Sequence, residues 1–243
     1  MPALSNLELL RRVPLFSALT TAQSAAVADA IGKRRFKRNE EIVEQGQRTN
    51  TLSIILTGRA RVVAIDCQDR EVIISTLRPG DYIGEMSLID GQPHSATVRA
   101  EETTDVLVLG REAFLSCLHD NMSMMRNMVR GLVKRLRQAD RKIASLALMD
   151  VHGRVIRTLM EVADIDDAGH LRIREKISRQ DLAKMVGASR EMVSRVMNEL
   201  EERSLISVQE DGSTLVLDPL VALSERPDQT QAVRGFVGGL SPS

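Results

Sequence analysis

Three observations predict an α+β fold in three parts for this 243-residue chain. A glycine-punctuated series of short β-rich runs occupies the first half. A 3-4 repeat of apolar residues fills the middle, and two short capped helices followed by a hairpin signal close the second half. The predicted architecture is an N-terminal antiparallel β-roll with flanking helices (residues 1–116) and a long dimerisation helix (117–149). A C-terminal winged helix-turn-helix follows (150–221), and a tail over 222–243 is expected to be mobile.

The composition is that of a globular chain, with 43% hydrophobic and 27% charged residues. No apolar run approaches the roughly 20 residues of a membrane span, and an N-terminus with Asn6 and Glu8 does not read as a secretion signal. A cytoplasmic protein without a membrane partner is expected. Aromatic residues make up only 2%, which argues against base-stacking platforms for single strands. Two cysteines, Cys67 and Cys117, are too few for a disulfide scaffold or an iron–sulfur cluster, so neither a metal nor a cluster is expected. The net charge of +0 hides an uneven distribution: residues 122–149 hold seven basic side chains and one acid, Asp140.

Residues 5–31 read as helical with a break at Pro14, and the β texture runs from Arg35 to Val108. Its strands are Leu52–Leu56, Ala60–Ile65, Val72–Leu77 and finally Val106–Leu109. Next, Met122, Met125, Val129, Leu132, Leu136, Ala139, Ile143 and Leu146 alternate at spacings of 3 and 4. An average spacing of about 3.5 residues keeps one stripe facing a second helix wound around the first. Met125, Val129, Leu132, Leu136, Ala139 and Ile143 are therefore the candidate dimer residues. Ala139 narrows the seam, which suits a close helix approach or leaves room for a ligand.

After a helix over Val151–Ala163 and a polar turn from Asp164 to Gly169, Leu171–Arg174 alternates like a strand. Ser178 with Asp181 reads as a capping-box variant, Gly187 stops that helix, and Ser189 caps the next. Leu182, Ala183, Val186, Val193, Val196, Met197 and Leu200 form the inward face. Asp211-Gly212 between two β runs signals a hairpin, placing a wing beside a helix-turn-helix. On the second helix Arg190, Glu191, Ser194 and Arg195 lie near the N-terminal end, where such a helix meets base edges. Arginine donates two hydrogen bonds to guanine, and glutamate accepts from the cytosine amino group. Ser189 and Asn198 are candidates for the phosphates, and Ser178 is a further DNA-binding candidate. A solvated face with a Glu191–Arg195 ion pair is the plainer alternative.

In the β-rich half, Gly84-Glu85-Met86-Ser87 leads into His94-Ser95-Ala96. Gly84 frees the backbone to turn N–H groups towards an anion, Glu85 offers an acceptor for a sugar hydroxyl, and Ser95 adds a donor. By spacing alone the same residues also suit plain turns.

The glycine-punctuated roll, Gly84-Glu85-Met86-Ser87-Leu88, the heptad helix, Leu146-Ala-Leu-Met-Asp-Val-His-Gly-Arg154 and Ser189-Arg-Glu-Met-Val-Ser-Arg195 together resemble the CRP/FNR family of bacterial transcription regulators. The resemblance spans about Pro14 to Leu217. It implies a homodimer with a cyclic-nucleotide-binding roll, whose effector repositions winged helices on double-stranded, palindromic DNA. It further implies base reading by Arg190, Glu191 and Arg195 in TGTGA-like half-sites, with RNA polymerase as a partner.

Two departures bear on the effector. Cyclic-AMP-binding members carry Arg-Ser-Ala where this chain has His94-Ser95-Ala96, and an imidazole does not reproduce the bidentate grip of a guanidinium on phosphate. The Thr-Ser pair that contacts adenine in those members aligns with Ala139-Asp140. A carboxylate at 140 suits guanine, whose N1–H and N2–H₂ are adjacent donors, and some members respond to cyclic di-GMP. Cyclic di-GMP is thus favoured slightly over cyclic AMP, with Arg137 or Arg141 replacing the phosphate arginine. Asp140 paired with a helix neighbour, an effector-independent DNA binder, and a ligand-binding module acting on another protein stay open. No catalytic constellation is legible and an enzyme is not expected. Lone histidines speak against haem.

Overall fold

The computed structural model describes residues 6–11, 13–17, 19–166, 170–174, 176–209 and 211–217. They fall into two compact units, within Met1–Arg137 and Gln138–Ser243. The tail predicted over 222–243 lies outside the described residues.

The first unit opens with α1 (Asn6–Arg11), a 3-10 turn at Pro14–Phe16, and α2 (Thr21–Ala30). Pro14 breaks the helical run because proline lacks the N–H that an interior turn needs. A reciprocal cap starts α2: Thr20 Oγ1 accepts from the Gln23 N–H, and Gln23 Oε1 accepts from the Thr20 N–H. The strands are β1 (Ile31–Phe36), β2 (Glu41–Val43), β3 (Thr51–Thr57), β4 (Ala60–Ile65), β5 (Glu71–Leu77) and β6 (Tyr82–Ile83). Helix α3 (Glu85–Asp90) precedes β7 (Thr97–Ala100) and β8 (Thr104–Gly110). They form two antiparallel sheets, ordered β1-β8-β3-β6 and β2-β7-β4-β5. Leu52, Ile54, Leu107, Leu109 and Phe114 are fully buried in one cluster, and Ile55, Ala60, Ala100 and Val106 in a second.

Strand β1 begins at Ile31, ahead of the expected Arg35, and runs antiparallel to β8 from Ile31↔Leu109 to Phe36↔Thr104. Its ends are buried while Gly32, Lys33, Arg34 and Arg35 between them are exposed. A cationic run of this kind suits a sheet edge, where charge discourages further pairing.

Helix α4 (Arg111–His119) ends before α5 (Met122–Leu148) begins, so residues 117–119 close α4 and do not head the long helix. The separator is Asn121, whose Oδ1 accepts from the Met124 N–H at 2.8 Å while its Nδ2 donates to Gln23 at 3.1 Å. A short amide side chain that caps the next helix interrupts the previous one. Met124 and Met128 are buried in the core of this unit. The predicted seam stays uncovered: Val129 is 53%, Leu136 62% and Ile143 65% exposed. Met125 and Ala139 are exposed as well, and Leu132 is half-buried.

The second unit contains α6 (Val151–Val162), β9 (Asp164–Ile165), β10 (Leu171–Ile173), α7 (Arg179–Val186), α8 (Arg190–Glu202), β11 (Ile206–Val208) and β12 (Thr214–Val216). Its sheet order is β9-β10-β12-β11. Asp164–Ile165, read from sequence as the start of a turn, is a short strand whose Ile165 faces Leu171. Residues 167–169 of that turn are outside the described set. Leu182, Ala183, Val186, Val193, Met197 and Leu200 are buried as expected, and Val196 is half-buried.

Within the first unit, α5 approaches the roll closely at Gly131. The Tyr82 hydroxyl donates to the Met128 carbonyl at 3.3 Å, and a methyl group built on Gly131 would collide with that hydroxyl. Gly131→Ala is expected to destabilise the chain by about 1–3 kcal/mol, the overpacking cost outweighing a propensity gain of about 1 kcal/mol. Removing the hydroxyl with Tyr82→Phe should recover part of that loss, and urea unfolding of the two single variants and the double variant measures it.

Candidate functional site

The segment from β6 through α3 is set by two left-handed glycines. Gly84 (φ +94°) precedes α3, where a Cβ would strike the Thr51 carbonyl, and Gly91 (φ +69°) ends the helix. This turn drives Glu85 inward until it is only 2% exposed. A buried carboxylate needs a countercharge, and Arg135 of α5 supplies it: its Nη1 donates to Glu85 Oε1 at 2.5 Å. Its Nη2 donates to the Tyr82 carbonyl at 2.5 Å, and the guanidinium lies 4.7 Å from the centre of the Tyr82 ring. Burial raises the pKa of Glu85, and the Arg135 charge opposes that rise. Glu85 is therefore not the free acceptor that the sequence suggested, because one oxygen is already held across the helix–roll junction.

His94 is 7% exposed and engaged at both nitrogens, Nε2 with Thr49 Oγ1 at 2.8 Å and Nδ1 with Ser87 Oγ at 3.1 Å. Desolvation lowers its pKa below 6.5, so the ring is neutral at pH 7. Gly84, Ser87 and His94 thus come together, with Glu85 and Ala96 buried nearby in the chain, whereas Met86 and Ser95 are exposed. Arg137, Asp140 and Arg141 are exposed on α5. The guanidinium that actually meets the cassette is that of Arg135, not Arg137 or Arg141. Sequence reasoning counted Arg135 only within a basic run, and it missed Thr49 and Tyr82 altogether. The i,i+4 relation of Gly131 and Arg135, flanking the seam, was the available signal.

In the second unit the two helices are positioned by their own caps. Ser178 Oγ accepts from the Asp181 N–H at 3.0 Å and donates to the Asp181 carboxylate at 2.9 Å. Gly187 (φ +66°) ends α7, and Ser189 Oγ accepts from the Met192 N–H at 3.2 Å to start α8. Arg179 ties the first turn of α7 to Glu201 near the end of α8 at 2.8 Å. Arg190, Glu191, Arg195 and Asn198 are exposed along one side of α8, Ser178 and Ser189 are exposed at the caps, and Ser194 is half-buried. Glu191 is held below the usual carboxylate range by its own backbone N–H first, then by Ser189, with Arg190 and Arg195 adding charge attraction. No Glu191–Arg195 ion pair forms among the described residues. Beside α8, β11 and β12 pair from Ile206↔Val216 to Val208↔Thr214, and Gly212 (φ +82°) sits in the intervening turn.

This arrangement matches known families along most of the chain. Residues 33–121 match the cyclic nucleotide-binding domain, and residues 153–223 match the Crp-like helix-turn-helix domain. The chain is 35% identical over 193 residues to the cAMP-activated global transcriptional regulator Vfr of Pseudomonas aeruginosa, covering 76% of this chain and 88% of that protein. It is 33% identical over 188 residues to the cAMP-activated regulator CRP of Salmonella typhimurium, covering 75% and 88%. Among solved structures it is similar to the c-di-GMP responsive global regulator CLP of Xanthomonas campestris, with a TM-score of 0.67 and 25% identity over 82% of this chain and 99% of that one.

The neutral, buried imidazole has a thermodynamic consequence. A histidine whose folded pKa is lowered contributes full stability above its unfolded value of about 6.5. That contribution is lost as the pH falls below this value, because the unfolded chain takes up the proton first. Thermal midpoints should therefore drop between pH 7.5 and 5.5, and His94→Gln should flatten part of the drop. The likeness of both halves, together with the capped helix pair and the glycine-built roll segment, shows that the chain belongs to the CRP/FNR family of DNA-binding transcription regulators, with a cyclic nucleotide-binding domain ahead of a Crp-like helix-turn-helix domain.

Proposed function

We propose that the chain is a homodimeric cytoplasmic regulator that acts by binding rather than by catalysis. It reads a palindromic operator with TGTGA-like half-sites and works with RNA polymerase. The observation that carries this reading is the exposed side of α8, on which Arg190, Glu191 and Arg195 follow a capped turn and neither arginine is held in an ion pair among the described residues. Ser189 and Asn198 then serve the phosphates, and Ser178 and Ser194 complete the DNA-facing set. Two copies meet along Met125, Val129, Leu132, Leu136, Ala139 and Ile143, an apolar stripe that a single chain leaves in water.

For the effector, cyclic di-GMP is favoured over cyclic AMP. His94, neutral and bonded at both nitrogens, offers no bidentate grip on a cyclic phosphate. Asp140, exposed on α5, suits the paired donors of guanine. The likeness to a c-di-GMP responsive regulator supports this choice, and the likeness to two cAMP-activated regulators weighs on the other side. A second reading, an effector-independent DNA binder, is favoured by one observation: Glu85 and His94 both already have partners inside the roll.

Isothermal titration with cyclic AMP, cyclic GMP and cyclic di-GMP separates these readings. Heat with cyclic di-GMP alone supports the first choice, tight cyclic AMP binding overturns it, and no heat with any of the three selects the effector-independent binder. For DNA, Arg190→Ala should cost about 1–3 kcal/mol on the specific site and relax preference at one base pair. Equal losses on specific and random duplexes would remove Arg190 from base reading.

A further inference from the structure

The packing of α5 fixes its heptad register from two sides at once. With the exposed seam of Met122, Val129, Leu136 and Ile143 at a positions and Met125, Leu132, Ala139 and Leu146 at d positions, Met128 and Arg135 fall at g. These two g residues are turned to the roll: Met128 is buried in its core, and Arg135 reaches Glu85 and the Tyr82 carbonyl. The e positions, Val133 and Asp140, are exposed. Asp140 makes no ion pair among the described residues, even though Arg137 lies one turn before it. In a parallel two-stranded coil a g residue meets the e residue five places later on the other strand. The counterpart of Arg135 is therefore Asp140 of the second copy.

We infer that the partner's Asp140 completes the polar cluster of Tyr82, Glu85 and Arg135, so that one guanidinium is shared by a carboxylate of its own roll and a carboxylate of the other chain. The inference rests on the dimer reading above and adds a residue to the site from across the seam. Along α5 the other g–e matches carry no opposite charges: Asn121 with Arg126, Met128 with Val133, and Lys142 with Ala147. The Arg135–Asp140 match, formed twice by symmetry, is then the charge pair that sets the strands parallel and in register. It also gives Asp140 a role in the unliganded dimer, which a guanine base would take over on binding.

The test is the dimer dissociation constant of the full chain, measured by sedimentation at low and at high salt for wild type, Asp140→Asn, Asp140→Glu and Asp140→Arg. Because Asp140 is exposed and makes no ion pair among the described residues of its own chain, none of these substitutions threatens folding. Asp140→Asn should weaken the dimer by about 3- to 5-fold and Asp140→Arg by about 10-fold or more at low salt, both losses shrinking as salt screens the pair. Asp140→Glu should restore most of the affinity. Unchanged dissociation constants for Asp140→Asn and Asp140→Arg would overturn the inference and leave the dimer intact. Weakening by Asp140→Arg alone would also overturn it, since repulsion without a lost attraction means there was no pair. A monomeric wild type would instead overturn the dimer reading itself.

Discussion

At the junction of the roll and the long helix in the first unit, the buried charge of Glu85 is met by one guanidinium. Arg135 neutralises a carboxylate that burial has made costly, accepts the face of the Tyr82 ring, and bonds the carbonyl of the strand that leads into α3. Each of these contacts is stronger for being out of water, and each would leave an uncompensated polar group if Arg135 were removed. The close approach at Gly131, one helical turn earlier, is what lets the side chain reach that far. A small residue and a long cation on one helix stripe thus act together, the first setting the distance and the second locking it.

The local elements were legible because their causes are local. Ser178, Gly187 and Ser189 specify the helix pair through bonds spanning three residues or a single positive φ, and the structure places all three as the sequence implied. The seam was legible for the same reason, since a 3-4 repeat within a 27-residue helix needs no knowledge of the roll. What escaped were features whose cause lies far along the chain. The extra residues of β1 carry charges that argue against a strand until β8 is there to pair with them. The stop at Asn121 lies beside two other weak helix formers, His119 and Asp120, but its second bond goes to Gln23, 98 residues away.

The effector cassette shows the same limit in sharper form. The family resemblance marked His94 as unusual where an arginine was expected, and its neutral state followed from ordinary histidine chemistry. Its two partners did not, because Thr49 lies 45 residues earlier and nothing in the pattern singles it out. Likewise Glu85 looked available because its ion-pair partner belongs to a helix 50 residues downstream. A motif tells which groups are present, whereas their availability to a ligand depends on what else the fold has already bonded to them.

The uncovered stripe on α5 has a consequence for how much of the protein a cell must make. An apolar seam in water favours association, so the population of paired chains in the proposed dimer varies with the square of the free chain concentration when chains are scarce. Occupancy of a two-fold operator then responds more steeply than copy number: a two-fold rise in chains brings up to about a four-fold rise in paired chains. In the proposed dimer, Val129, Leu136 and Ile143 would therefore do more than join two helices, for they would convert a gradual change in synthesis into a sharper change in paired chains.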